Sequence, residues 1–200
     1  FSMKHKFGIV ITTYCGDFFL TKGLLASIHK YMPHVPICLI QDGDFDIDKD
    51  LKPYNIYKVI KKNDVKNAFL RENCFGSRCT SMISFWESPF ERFLYLDSDT
   101  IVVGDILANI DYTSADFIHN TPHEPYTDFI YKTQYFDHDR LFNMMPWFEW
   151  KDCHFFNSGV FISRTGIFPL DTFKQLYELW KSDKSLIPTA PQGIINYLVF

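Results

Sequence analysis

Residues 93–103 read Phe-Leu-Tyr-Leu-Asp-Ser-Asp-Thr-Ile-Val-Val, and no other stretch says as much about the architecture. The run from Arg92 to Leu96 has the length and apolar character of a buried strand. It ends in two carboxylates one residue apart, Asp97 and Asp99. Strand geometry sends residues i and i+2 to the same side. At the carboxyl end of a strand they converge on the crevice where open α/β sheets bind ligands. Two hard oxygen donors there suit Mn²⁺ or Mg²⁺, which bind through one or two carboxylates plus substrate phosphates. The bland alternative is an Asx-type turn with solvated carboxylates. The apolar flanks, Phe93–Leu96 before and Ile101–Val103 after, favour a site.

The chain before this point reads as one βαβ unit. Phe7–Thr13 is a β-branched apolar run, hence a strand, and Phe19–Tyr31 carries Leu20, Leu24, Leu25, Ile28 and Tyr31 at helical spacing. Pro33 and Pro36 end that helix, and Pro36–Ile40 is a second strand closed by Gln41-Asp42-Gly43-Asp44. The opening is therefore expected to be parallel and right-handed. Tyr57–Ile60 is a weaker strand, and Asn67–Trp86 is expected to be helical with an interruption near Gly76. Beyond the acidic pair, Phe117–His119 reads as a short strand and Thr121–Trp150 shows no sustained period. Phe155–Ser163 reads as a strand, Leu170–Lys181 as an amphipathic helix, and Pro191–Phe200 as the start of a last helix.

Composition excludes several classes. The 200 residues include 24 acidic and 20 basic ones, a formal net charge of -4, so bulk charge does not favour nucleic acid. Hydrophobic residues make up 46% and aromatics 18%, which rules out disorder and supplies a sizeable core. No apolar run approaches the roughly 20 residues of a spanning helix. No secretory signal is visible, and Phe1-Ser2 ahead of Met3 reads as an expression remnant. Five irregularly spaced cysteines form no disulfide framework and fit a reducing compartment. The pairs Cys74/Cys79 and Cys153/His154 match no common zinc spacing.

Two chemistries use an acidic pair of this kind. One is phosphoryl transfer through an aspartyl nucleophile, since Asp97-Ser98-Asp99-Thr100 superficially resembles the Asp-x-Asp-Gly-Thr motif of haloacid-dehalogenase-like phosphatases. The glycine is missing here, that motif normally lies in the first strand, and no later paired-Asp motif follows. The other is metal-assisted transfer of a sugar from a nucleotide diphosphate.

Four segments resemble GT-A-fold glycosyltransferases of the glycogenin and lipopolysaccharide-galactosyltransferase type, family 8. They are Ile11–Tyr14 with Lys22-Gly23, Phe93–Val103, Trp150–Cys153 followed by Phe156–Phe161, and Pro191–Asn196. Each is weak alone, but they stand in the family's order along nearly the whole chain. The resemblance implies an α/β fold with a mostly parallel central sheet, in a single domain over residues 3–200. It implies that Asp97 and Asp99 bind Mn²⁺ or Mg²⁺, with the Ser98 backbone near the nucleotide ribose. Thr12, Thr13 and Tyr14 would line a nucleoside pocket for uridine, although ordinary strand packing accounts for the threonines equally well. Tyr14 is suited to base stacking. Asn157 and Ser158 would bind the donor sugar, or else form a satisfied structural turn. Gln192 would sit near the anomeric carbon.

The sequence departs from that family in three places. Pro191 stands where the family has Asp, so a carboxylate helper is missing, and Asp152 is the candidate replacement if it is not simply an exposed loop residue. The family's lysine ahead of the acidic strand is replaced by Cys79-Thr80-Ser81. Arg78 is then the candidate for the diphosphate, with a solvated helix-face arginine as its alternative. The family's third metal ligand is a His beyond the last helix, and the domain is expected to be cut short before it.

The expected activity is hexose transfer from a nucleotide diphosphate sugar, UDP-linked, to a glycan or other hydroxyl acceptor, with retention of configuration. The setting is assembly of a surface glycan, cytoplasmic or membrane-peripheral, with no nucleic-acid partner. Tyr126, Tyr131, Trp147 and Trp150 are candidates for stacking on acceptor sugars, each also able to serve as core. A degenerate member that binds the donor without turnover is the non-enzymatic alternative.

Overall fold

The computed structural model describes residues 5–120, 127–145 and 154–200. Its strands are β1 (His5–Tyr14), β2 (Ile37–Asp42), β3 (Ile56–Ile60), β4 (Phe90–Leu96), β5 (Phe117–His119) and β6 (Val160–Arg164). They form one sheet in the order β3-β2-β1-β4-β6-β5. Strands β1, β2, β3 and β4 pair in parallel, and β6 runs antiparallel to β4. The helix between β1 and β2 is α1 (Phe18–Tyr31), so the expected βαβ opening is present.

The chain divides into two compact units, Phe1–Ile118 with Gly159–Ile167 and His119–Ser158 with Phe168–Phe200. In the first, apolar residues cover both faces of the sheet, which is why the parallel strands read as near-continuous hydrophobic runs. One face packs Ile9, Ile11, Leu39, Leu94 and Leu96 against Leu24, Leu25 and Ile28 of α1. The other centres on Phe161, whose ring stacks on Phe85, Tyr95 and Phe117 at 5.3, 5.0 and 5.2 Å between centroids.

The second unit is helical among its described residues. It contains α5 (Asp128–Ile130) running into a π-helical turn (Tyr131–Tyr135), then α6 (His138–Met144), α7 (Leu170–Ser182) and α8 (Ala190–Val199). Phe155 is its aromatic hub, 4.8 Å from Tyr131, 5.1 Å from Tyr135 and 5.2 Å from Phe136. Gly193 lets α8 approach the π turn closely, because a Cβ there would collide with the Tyr135 carbonyl oxygen.

Two sequence expectations change, the strand from Phe155 and the aperiodic segment, while the helical stretch over 67–86 is interrupted near Gly76 as expected. The helix over 67–86 is broken into α3 (Ala68–Asn73), a 3₁₀ turn (Thr80–Ile83) and α4 (Ser84–Glu87), and α2 (Asp48–Leu51) is an added short helix. The break centres on Gly76, whose φ of +68° suits glycine. The strand expected from Phe155 begins only at Val160, because the Phe156 backbone bonds a side chain instead of a neighbouring strand. After the acidic pair, Val102 is buried and donates its N–H to Ser27 Oγ at 3.0 Å, with Ile101 and Val103 exposed on either side. The aperiodic segment contains helices over its described part, 127–145.

Candidate active site

The site is built at the carboxyl end of β4. The strand stops at Leu96, so Asp97, Ser98 and Asp99 lie in a turn rather than in the strand, closed by Thr100 N–H donating to the Asp97 carbonyl at 3.1 Å. The alternation expected of a strand therefore does not carry the acidic pair to one side. The turn does the placing, and the Asp97 N–H is anchored on the Gly159 carbonyl at 2.9 Å. Asp97 is partly buried and Asp99 is exposed.

Asp97 sits in an unfavourable place for a charge. Burial pushes its carboxyl up to about 6 from the ordinary 3.8, and the negative charges of Asp99 and Asp17 push the same way. The Tyr95 phenol acts oppositely, hydrogen-bonding to the carboxylate. Tyr95 is itself buried, and burial followed by the Asp97 charge holds its hydroxyl protonated beyond the usual phenol range. Register accounts for the grouping: Val10 pairs with Tyr95, which puts Tyr95 on the same sheet face as Thr12.

Asp17 was not legible as a site residue. Aspartate ahead of a helix commonly caps it. Yet Asp17 makes no side-chain cap to α1. Its Oδ2 accepts from Ser98 Oγ at 2.6 Å, and its Oδ1 accepts from Tyr14 N–H at 2.8 Å and Thr13 Oγ1 at 3.1 Å.

The expected donor residues fall in different settings. Thr13 is fully buried, and its hydroxyl is engaged by Asp17 and by Thr21 Oγ1 at 2.7 Å. Tyr14 is 54% exposed and offers its ring to solvent. Arg78 is exposed in the loop between α3 and the 3₁₀ turn, not on a helix face. That loop is held by Asp42, another residue the sequence did not single out. The Asp42 carboxylate accepts from Gly76 N–H at 2.9 and 3.0 Å and from Thr80 Oγ1 at 2.6 Å.

In the second unit, Asn157 is exposed and Ser158 partly so. Gln192, in the first turn of α8, is only 8% exposed, its amide facing Ser158 N–H at 3.4 Å and donating to the Gln134 carbonyl at 3.2 Å. Asn196 is fully buried and reads the Phe156 backbone as a strand would, accepting its N–H at 3.0 Å and donating to its carbonyl at 2.9 Å. Asp152, Tyr126, Trp147 and Trp150 lie outside the described residues.

The charge around Asp97 fits a divalent cation bound through two carboxylates and a substrate phosphate. Among the described residues no group of three or more His, Cys, Asp or Glu forms a self-sufficient metal site. Burial pushes the Cys38 and Cys79 thiols up to about 12, and Cys74 upward as well. No described helix is long and apolar enough to cross a membrane.

Comparison with known structures places the chain among glycosyltransferases by fold. All of the chain superposes on the bifunctional glycosyltransferase WbbM, with a TM-score of 0.63 at 13% identity over 38% of that protein. It also matches the galactosyltransferase LgtC, solved with donor and acceptor sugar analogues, with a TM-score of 0.60 at 15% identity, covering 96% of this chain and 70% of LgtC. GlyE of Streptococcus pneumoniae TIGR4 gives 0.58 at 16% identity, covering 97% of this chain and 43% of GlyE. The chain thus spans under half the length of WbbM and of GlyE. No protein-family model matches the sequence, and no curated protein matches it. The mixed sheet with flanking helices matches the GT-A architecture of these glycosyltransferases.

Proposed function

We propose that this chain is a glycosyltransferase domain of the family 8 type. It moves a hexose from a nucleotide diphosphate sugar, UDP-linked, to a hydroxyl acceptor in surface-glycan assembly. The observation carrying this reading is the Asp97-Ser98-Asp99 turn: a part-buried carboxylate, flanked by two more, at the strand end of a fold shared with glycosyltransferases. Asp97 and Asp99 would hold Mn²⁺ or Mg²⁺, which when bound neutralises charge on the departing diphosphate. Tyr95 lies beside Asp97 and favours its charged form. Tyr14 presents an open ring for the base, and Arg78 extends from a loop fixed by Asp42 toward solvent, where a phosphate is accessible to it. Asn157, Ser158 and Gln192 are assigned to the donor sugar, Asp152 to the missing carboxylate, and retention of configuration to the reaction, on sequence resemblance alone.

Calorimetry with UDP tests this directly. UDP binding should strengthen at least tenfold when Mn²⁺ is added, and Asp97→Asn should remove that gain, which is about 1.4 kcal/mol or more. Binding that Mn²⁺ leaves unchanged, or that survives Asp97→Asn, would overturn the metal assignment.

A second reading, donor binding without turnover, has one observation in its favour. Pro191 replaces the family's carboxylate, and the Gln192 amide is already engaged within the protein. Release of sugar from UDP-hexoses, screened with Mn²⁺ present, separates the two readings: turnover excludes the binder, and tight binding with no release across the sugars supports it. The aspartyl-phosphatase alternative finds no support in a fold where the acidic pair follows the fourth strand.

A further inference from the structure

Asp17 occupies the N-cap position of α1 but does not cap it. Aspartate is among the strongest capping residues, so its side chain has an obvious local use here. Instead both carboxylate oxygens are turned away from α1. One faces back to the end of β1, accepting from Tyr14 N–H and Thr13 Oγ1, and Thr13 is braced in turn by the buried Thr21 hydroxyl. The other accepts from Ser98 Oγ at 2.6 Å, across 81 residues of sequence. The bond to Ser98 goes beyond what the local turn needs and points to a purpose at the acidic turn.

The acidic turn needs such support. Its first residue is fixed by backbone, through the Asp97 N–H on Gly159 and the turn bond from Thr100. Asp99 is exposed. The Ser98 hydroxyl is the side-chain tie between this turn and the β1–α1 connection, and Asp17 is its acceptor. The tie costs something in charge, because Asp17 adds a third negative group near Asp97. A bound cation would turn that cost into attraction.

We propose that Asp17 is a positioning residue of this site: by holding Ser98, it sets the presentation of the Asp97 and Asp99 carboxylates to a divalent cation and a nucleotide diphosphate. The same carboxylate fixes Tyr14, so one residue couples the two stretches assigned to the nucleoside and to the metal. The proposal rests on the glycosyltransferase reading above and extends it to a residue outside the acidic motif.

A double-mutant cycle tests it with two readouts. In metal-free protein, Asp17→Ala, Ser98→Ala and the double variant are compared by chemical denaturation, which reports whether the bond itself is present. With Mn²⁺ and UDP, calorimetry reports whether the bond positions the site. Each single variant is expected to weaken Mn²⁺-dependent UDP binding about tenfold, the double variant no more than about twofold beyond the worse single, as for residues acting through one bond. Asp17→Asn keeps a hydrogen bond to Ser98 whichever end of its amide faces it, and should bind within about threefold of wild type. A merely structural role would lower stability in the cycle and leave the Mn²⁺-dependent affinity of the folded variants unchanged, which would overturn the proposal. So would additive losses. If Asp17→Ala does not fold, Ser98→Ala and Asp17→Asn carry the same predictions. A wild-type chain that binds UDP equally with and without Mn²⁺ would instead overturn the functional reading, and the role of Asp17 with it, while the metal-free cycle still reports the bond.

Discussion

The folded protein disfavours the charged form of the Asp97 carboxyl. In the unfolded chain its carboxyl titrates near the ordinary 3.8, and in the folded protein it is pushed up to about 6 by burial and by its acidic neighbours. Between those values the native state holds more protons than the unfolded one, so this group's contribution to stability falls as pH rises from about 4 to about 6 and stays unfavourable above. Asp97→Asn should therefore raise the melting temperature at pH 7.5 and give little gain near pH 4, measured by calorimetry in metal-free protein. A substitution that stabilises the fold while removing Mn²⁺-dependent binding would mark the site as one where function strains the structure. Asp97 and Asp99 stand out as candidates in the sequence because two carboxylates closing an apolar strand form a local signal. Asp17 and Asp42 went unread, because an aspartate before a helix or in a turn has an ordinary local use. Only their partners, 81 and 38 residues away, reveal the other one.

Among the elements, the parallel strands and long helices were readable and the irregular pieces were not. Strands β1, β2 and β4 and helices α1, α7 and α8 carry strong periodicity or unbroken apolar runs, and each lies close to its expected place. Phe155–Gly159 misled the strand reading because its composition is that of a strand, whereas Asn196 of α8 takes the Phe156 backbone groups that a strand would pair. Replacing that side chain removes two hydrogen bonds from the buried Phe156 backbone, at about 1–3 kcal/mol each. Asn196→Leu should lower stability by about 3 kcal/mol in denaturant unfolding, far more than a neutral change of volume would, and a loss below about 1 kcal/mol would count against this strand-mimicking role. The helices over 127–145 escaped notice because none exceeds seven residues, too short for a period to emerge.

At the scale of the whole molecule, the expected single domain over residues 3–200 remains a proposal beside the two compact units. Each unit is discontinuous in sequence, the chain passing from one to the other at 118/119, 158/159 and 167/168. A single domain should unfold in one transition, with near-UV and far-UV signals coinciding and calorimetric and van't Hoff enthalpies equal. Two resolved transitions would divide it. Hydrophobic periodicity and strand-end carboxylates are local signals, so the α/β class, the βαβ opening and the acidic pair are all written in the chain. Which polar groups serve the acidic turn is not, because hydrogen bonds and burial depend on which segments meet in space. The strained carboxyl of Asp97, the Tyr95 phenol behind it and the Asp17–Ser98 tie come into being only when β1, α1 and β4 are assembled.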